Sequence, residues 1–291
     1  MICELCPQKC GAKREEKQGN GICKEGTLPK VARIAPHYFE EPCISGEKGT
    51  GAVFFSGCSL CCIYCQNYDI SQKNKGEYIT PEELADYYKK FEESGVHSIE
   101  LVSASHFADA VIKSLNIYKP NIPVIYNSSG YESVDTLKRF EGLVDVYLPD
   151  FKYADNALSQ ELSKCNNYKE TAIEAIKEMV RQVGKVQLDE SGMIQKGVIV
   201  RHLVLPNHTR NSIDVLNILK KNFNDSIKVS LMGQYIPCGE ATGNEKLGRK
   251  ITKREYEKVL NHLFSLGLDG FAQELSSADE KYIPKWNFNN E

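Results

Sequence analysis

Ser56-Gly57-Cys58-Ser59-Leu60-Cys61-Cys62-Ile63-Tyr64-Cys65-Gln66-Asn67 follows directly on the apolar run at 51–55. Its Cys58-x-x-x-Cys62-x-x-Cys65 spacing puts three thiols on one short loop at the end of an expected strand. Three thiolates so placed hold three corners of an iron–sulfur cube and leave the fourth iron without a protein ligand. An iron with an open position binds substrate or cofactor, so the pattern points to catalysis rather than electron storage. Zinc is the competing reading, because Cys58-x-x-Cys61 and Cys62-x-x-Cys65 are formally two Cys-x-x-Cys pairs. Zinc ribbons separate such pairs by roughly 15–20 residues, which lets the chain return. Here the pairs abut, and four ligands on one bend make a poor tetrahedron. Cys61 is then the extra cysteine.

Outward from this loop, short apolar runs alternate with amphipathic stretches. Strands are expected at 51–55, 98–103, 123–126, 144–148, 197–205 and 227–232, with a weaker one at 269–273. Helices are expected from Thr80-Pro81-Glu82-Glu83 to about residue 94, then at 107–116, 133–140, 158–182 (long enough for two), 211–222 and 252–266. Thr252 and Glu255 have the spacing of a capping box. Strands separated by helices imply βαβ units and a parallel sheet, and six or seven such units close or partly close a barrel. Barrel active sites lie at the carboxyl ends of the strands, where the three-cysteine loop falls.

The chain has 291 residues, a formal net charge of −3 and eleven cysteines. That charge argues against a nucleic-acid partner bound through phosphate neutralisation. No apolar run reaches the roughly 18 residues of a membrane span. The first residues resemble no secretory signal, so the expectation is a cytoplasmic protein without a membrane, whose thiols are metal ligands rather than disulfides.

Residues 1–50 are expected to form a cysteine-rich metal-binding segment and 51–291 the barrel with a carboxyl-terminal helical region. Within the first segment, Cys3-x2-Cys6-x3-Cys10-x12-Cys23 offers four soft ligands, with Gly11, Gly19 and Gly21 permitting turns. The set suits one closed site, holding structural zinc or an auxiliary [4Fe–4S] cluster. Cys43 is either a buried apolar cysteine or a reactive one near the site. Cys165 and Cys238 are most simply inert.

Cys58-x-x-x-Cys62-x-Tyr64-Cys65, after a strand ending Phe-Phe-Ser-Gly, resembles the radical S-adenosylmethionine enzymes. Phe54-Phe-Ser-Gly-Cys58, Cys65-Gln-Asn67, Tyr147-Leu-Pro-Asp-Phe-Lys-Tyr153, Val200-Arg-His-Leu-Val-Leu-Pro206 and Ser230-Leu-Met-Gly-Gln-Tyr235 are more narrowly similar to proteins related to pyruvate formate-lyase activating enzyme. The resemblance implies a partial (β/α)6 barrel, to which this chain adds the cysteine-rich amino-terminal extension that glycyl-radical activases do not share. It implies a [4Fe–4S] cluster on Cys58, Cys62 and Cys65 whose open iron binds S-adenosylmethionine. One-electron cleavage would then give methionine and a 5′-deoxyadenosyl radical that abstracts hydrogen from a substrate. The same resemblance implies an electron donor such as flavodoxin or ferredoxin.

It also assigns cofactor-binding roles. Tyr64 lies against the adenine. Ser103 and Ser105, with His106, stand where a small-residue motif meets the methionine amino group. Asn127 and Ser128 follow the third strand, and Asn127 replaces an Asp that many activating enzymes use at a cation site. Asp150 and Lys152 match an Asp-x-Lys whose lysine reaches the cofactor; a plain Asp–Lys ion pair is the alternative. Strand alternation sends Arg201 and His202 to opposite faces, and the resemblance favours Arg201 inward. Gln234 and Tyr235 stand where ribose or adenine is contacted.

Two enzymatic targets follow: a glycyl-radical partner enzyme, or a small molecule or peptide. The chain lacks the ferredoxin-like insertion that many glycyl-radical activases carry after the cluster loop. A zinc-stabilised interaction protein on a barrel scaffold is the non-enzyme alternative; it accounts for the first cysteine group and not for the loop. A radical-free methyltransferase would carry a glycine-rich loop where the cysteines stand.

Overall fold

A computed structural model of the chain describes residues 2–275 together with Ala278 and Trp286. After a cysteine-rich start come β1 (Lys30–His37), the short helix α1 (Pro42–Ser45), β2 (Thr50–Phe55), α2 (Tyr68–Ser71), β3 (Glu77–Tyr78) and α3 (Pro81–Ser94). Then follow β4 (Ser98–Val102), α4 (Ala108–Ile117), β5 (Val124–Ser128), α5 (Val134–Lys138), β6 (Val146–Pro149), α6 (Asn156–Ser163) and α7 (Tyr168–Val183). The rest is β7 (Gln187–Leu188), β8 (Ile194–Leu203), α8 (Thr209–Phe223), β9 (Lys228–Met232), α9 (Lys253–Ser265) and β10 (Gly270–Ala272).

The sheet runs β10-β9-β8-β6-β5-β4-β2-β1-β3, with β7 paired to β8. Strands β2, β4, β5, β6, β8, β9 and β10 are parallel, and each lies beside the next of them in the chain. Such progressive winding curls a sheet, whereas a doubly wound sheet reverses its order at a switch point. One cavity is lined from β2 round to β10, so the sheet wraps around it. With β3 and β10 at its two edges, the fold is a partial barrel of six β/α units and a closing strand.

Alternation sorts the strand residues. Val53, Phe55, Leu101, Tyr126, Tyr147, Val198, Val200 and Val229 belong to the large core shared with the helices. Ile125, Val146, Leu148 and Ile199 belong to a smaller cluster on the other face, into which α1 inserts Cys43 and Ile44. The antiparallel β1 makes this possible. It runs back along β2 until His37 faces Thr50, delivering α1 to the amino end of the parallel strands. Burying Ile44 there, with no exposed surface, contributes about 1.5–3 kcal/mol.

The expected parallel strands and helices all form, with shifted ends. The 158–182 stretch is two helices, α6 ending at Lys164 with φ +54°. The expected capping box of Thr252 with Glu255 closes on α9, and the Thr80 start of α3 proves to be a second one, with Glu83. Residues 30–45, grouped by sequence with the cysteine-rich segment, add a strand to the sheet and a plug to the barrel. β1 carries Arg33 and Pro36 in an uneven burial pattern, and proline is tolerated only on outer strands, so no clear period marks it. Beyond residue 275, the end of the expected 51–291 unit lies outside the described residues except for Ala278 and Trp286.

Candidate active site

Cys58, Cys62 and Cys65 open into one cavity of about 690 Å³. Gly57 begins the turn with φ +80°, and a Cβ there would meet Glu25 and the Cys23 carbonyl. His106 Nε2 lies 2.7 Å from the Ser56 carbonyl, and Ser71 and Ser163 donate to Sγ of Cys65 and Cys62 at 3.2 and 2.9 Å. Cys61 does not line the cavity; its backbone N–H donates to the Ser163 carbonyl. A hydroxyl chain runs on from Cys62 through Ser163 and Tyr153 to Tyr64, whose hydroxyl lies 2.7 Å from that of Tyr153.

Burial pushes the Cys62 thiol up to about 11 and raises Cys58 and Cys65 as well. Thiols so placed stay protonated unless a cation compensates, and an iron core supplies that charge as it displaces the protons. Among the described residues no three Cys, His, Asp or Glu side chains gather as around a single metal ion. A four-iron cube holds its three sulfurs further apart than one ion does. The donor set, the hydroxyls on its sulfurs and the adjoining space fit a three-thiolate cluster.

Tyr64, Ser103, Asn127, Ser128, Asp150, Lys152, Arg201 and Gln234 all line the same cavity. Ser103, just past β4, has φ +61°, a costly conformation for a residue with a Cβ. Gly130 has the positive φ its turn demands, +74°, and a Cβ would strike the Asp150 carbonyl oxygen. Ser105, His106 and Tyr235 point elsewhere. Ser105 donates to Glu132 at 2.7 Å, His106 holds the loop backbone, and Tyr235 donates to the Leu247 carbonyl at 2.8 Å. Burial lowers His106 to about 4, which keeps it neutral.

A chain of charges runs from the plug toward the thiols. Arg201 binds Glu40 at 3.0 Å, Asp150 at 3.2 Å and the Asn127 amide oxygen at 2.6 Å. Asn127 in turn donates to Glu100 at 2.6 Å. Lys152 donates to the other Asp150 oxygen at 2.5 Å, so the Asp–Lys ion pair forms inside the cavity. Burial works against the Asp150 charge, but Lys152 and Arg201 beside it hold its carboxyl below the usual range. Arg201 faces inward, and His202 is buried outside with Nδ1 2.7 Å from the Phe151 carbonyl.

Cys3, Cys6, Cys10 and Cys23 line a second cavity of about 10 Å³, together with Ser59 and His106. Gln8 donates to the Ser59 carbonyl at 2.8 Å, and Asn74 to that of Cys23 at 2.7 Å. The two cysteine groups are therefore neighbours. Cys43 is one of the plug residues, apolar in its surroundings.

Sequence reasoning missed Glu40, Glu41 and Glu100, and the hydroxyls of Ser71, Tyr153 and Ser163. Only Glu100 carried a signal, a charge in the middle of an otherwise apolar strand.

Comparison with known proteins agrees with this geometry. The Radical SAM superfamily model matches residues 52–219. A Methanocaldococcus jannaschii relative, "Uncharacterized protein MJ0674", is 30% identical over 281 residues, covering 92% of this chain and 75% of the relative. Among solved structures, Streptococcus suis SuiB bound to precursor peptide SuiA superposes with a TM-score of 0.51 at 15% identity over 76% of this chain. This chain spans about half of SuiB, 48% of its length. A radical SAM methyltransferase from Sphaerobacter thermophilus gives 0.51 at 13% identity, covering 77% of this chain and 66% of that one. No helix among the described residues is long and apolar enough to cross a membrane. With its partial barrel and its three thiols opening into the barrel's cavity, the chain belongs to the Radical SAM superfamily.

Proposed function

We propose that this protein holds a [4Fe–4S] cluster on Cys58, Cys62 and Cys65 and uses it to abstract hydrogen from a substrate lodged in the barrel. When bound there, the cluster with S-adenosylmethionine supplies reductive cleavage of the sulfonium, with 5′-deoxyadenosine as the measurable product. The observation that carries the reading is that three thiols, Cys62 buried and Cys58 and Cys65 half-buried, share one large cavity with the Lys152 ammonium. Lys152 is the cation for the methionine carboxylate, oriented by Asp150. Tyr64, pinned by Tyr153, walls the adenine side, while Ser103 and Gln234 offer polar groups from the carboxyl ends of β4 and β9. The surrounding barrel keeps water and oxygen from the reacting atoms.

Within the superfamily we assign the protein to the activating-enzyme-like group on its motifs, in a cytoplasmic setting with flavodoxin or ferredoxin as electron donor. A glycyl-radical enzyme is one target of that group. The plugged floor and its charged residues favour instead a small molecule or peptide that reaches into the barrel. The amino-terminal thiols Cys3, Cys6, Cys10 and Cys23 are proposed as a second metal site, zinc or an auxiliary cluster, bracing the loop from behind.

The test is anaerobic reconstitution, reduction with dithionite and a search for 5′-deoxyadenosine. Cleavage is expected in the wild type and in Cys61→Ala, and is lost in Cys62→Ala. Zinc alone, with no iron or sulfide taken up, would reject the reading.

A further inference from the structure

We infer that the deep end of the cavity, at Glu40 and Glu41, binds a cationic nitrogen group of the substrate, an ammonium or a guanidinium. The inference rests on the cavity being the reaction chamber, and it names the substrate class. Four carboxyl groups, Glu40, Glu41, Glu100 and Asp150, stand between this end and the cluster side, against two cations, Arg201 and Lys152. Arg201 is already divided between Glu40 and Asp150, and Lys152 is taken by Asp150.

Glu41 is 8% exposed, lines the cavity, and its Oε2 has no hydrogen-bond partner. Ser230 lies beside the same carboxylate. A buried carboxylate oxygen without a donor loses solvation that a cation or a proton must restore. Burial raises Glu40, Glu41 and Glu100, against the opposing pull of Arg201 on each. The flanking walls are aromatic: His37 lies edge-on to Phe39 and Phe54, with centroids 5.7 and 5.9 Å away. Carboxylates beside ring faces select organic cations over hydrated metal ions.

S-adenosylmethionine is itself a cation, but it belongs at the other end. Glu40 and Glu41 enter from the amino end of β2 and the thiols lie past its carboxyl end, with Arg201, Asp150 and Lys152 bridging between them in hydrogen-bonded series. A substrate anchored by its cationic group at the plug would extend its reacting carbon toward the cluster.

Reconstituted protein saturated with S-adenosylmethionine is titrated anaerobically with n-butylammonium, n-butylguanidinium and neutral n-pentanol, followed by saturation-transfer NMR and thermal shift. Saturation removes the sulfonium as occupant. At least one cation should bind about tenfold or more tightly than the alcohol, and the stronger of the two names the group. Glu41→Gln and Glu40→Gln should each remove that preference, and the exposed Glu190→Gln should keep it. If Glu41→Gln does not fold, Glu41→Asp replaces it, with a weakened preference expected. Equal binding of alcohol and cations, no cation effect, a preference surviving both Gln variants, or sodium or magnesium competing as strongly would overturn the inference. Binding here needs no turnover, so absent 5′-deoxyadenosine would refute the proposed reaction and leave this site standing.

Discussion

Lys152 sits between an acid that orients it and the three-thiol loop, which makes it the most informative single side chain. Lys152→Ala should weaken S-adenosylmethionine binding about tenfold or more, the worth of one charge-assisted hydrogen bond, with iron content unchanged. Equilibrium dialysis on reconstituted protein reads both quantities. His202 makes a pH prediction. Its Nδ1 is engaged by the Phe151 carbonyl and its Nε2 is buried without a partner, so protonation would leave an unpaired charge. Burial lowers it to about 4. The folded state therefore binds fewer protons than the unfolded one below pH ~6.5, and stability falls as pH drops from there toward 4. Wild type should lose about 3 kcal/mol more than His202→Asn over that window in denaturant titrations, at roughly 1.4 kcal/mol per unit. Parallel profiles would contradict the assignment. Alternation let the sequence put Arg201 and His202 on opposite faces. The Glu40–Arg201 contact joins residues 161 apart in the chain, and no local period reports such a pair.

Helix α1 is only four residues long, yet it sets the floor of the chamber. Ile44→Ala should cost about 3 kcal/mol, the usual result of leaving a cavity in a closed apolar cluster, and should displace Glu40 and Glu41 from Arg201. Thermal unfolding together with loss of the n-butylammonium effect would register both consequences; a change in stability alone would separate the plug from the acidic site. The parallel strands and major helices were legible because each carries its own period and its own punctuation, Thr80 and Thr252 above all. β1 and α1 were not. A strand that contains Arg33 and Pro36 has no alternation to read, and a one-turn helix has no helical period. Their roles come from pairing with β2 and from filling space that exists only once the sheet has curled.

Across the whole molecule, the two cysteine groups that the sequence presents 35 residues apart, from Cys23 to Cys58, are joined through Ser59, His106 and Gln8. Metal binding at the amino-terminal thiols should therefore stabilise the cluster loop. Cys6→Ser is expected to lower total metal content and to speed limited proteolysis near residues 56–75, with the barrel helices still protected; unchanged proteolysis would detach the segment from the loop. The curl of the barrel and the identity of the three-thiol loop could be read from residue spacing, because both are local patterns repeated or concentrated in the chain. The adjacency of the cysteine groups and the acidic floor could not, because they arise from tertiary packing of segments with no common period. The account depends on an iron left open by a three-thiol grip and reachable from the Lys152 side. Electron paramagnetic resonance of the anaerobically reduced protein, recorded with and without S-adenosylmethionine, tests this most directly. The account predicts a cluster signal whose g-values shift on addition of S-adenosylmethionine, and a Cys62→Ala variant with no such response. A reduced cluster whose spectrum is indifferent to S-adenosylmethionine, or an unaltered response in Cys62→Ala, would contradict it.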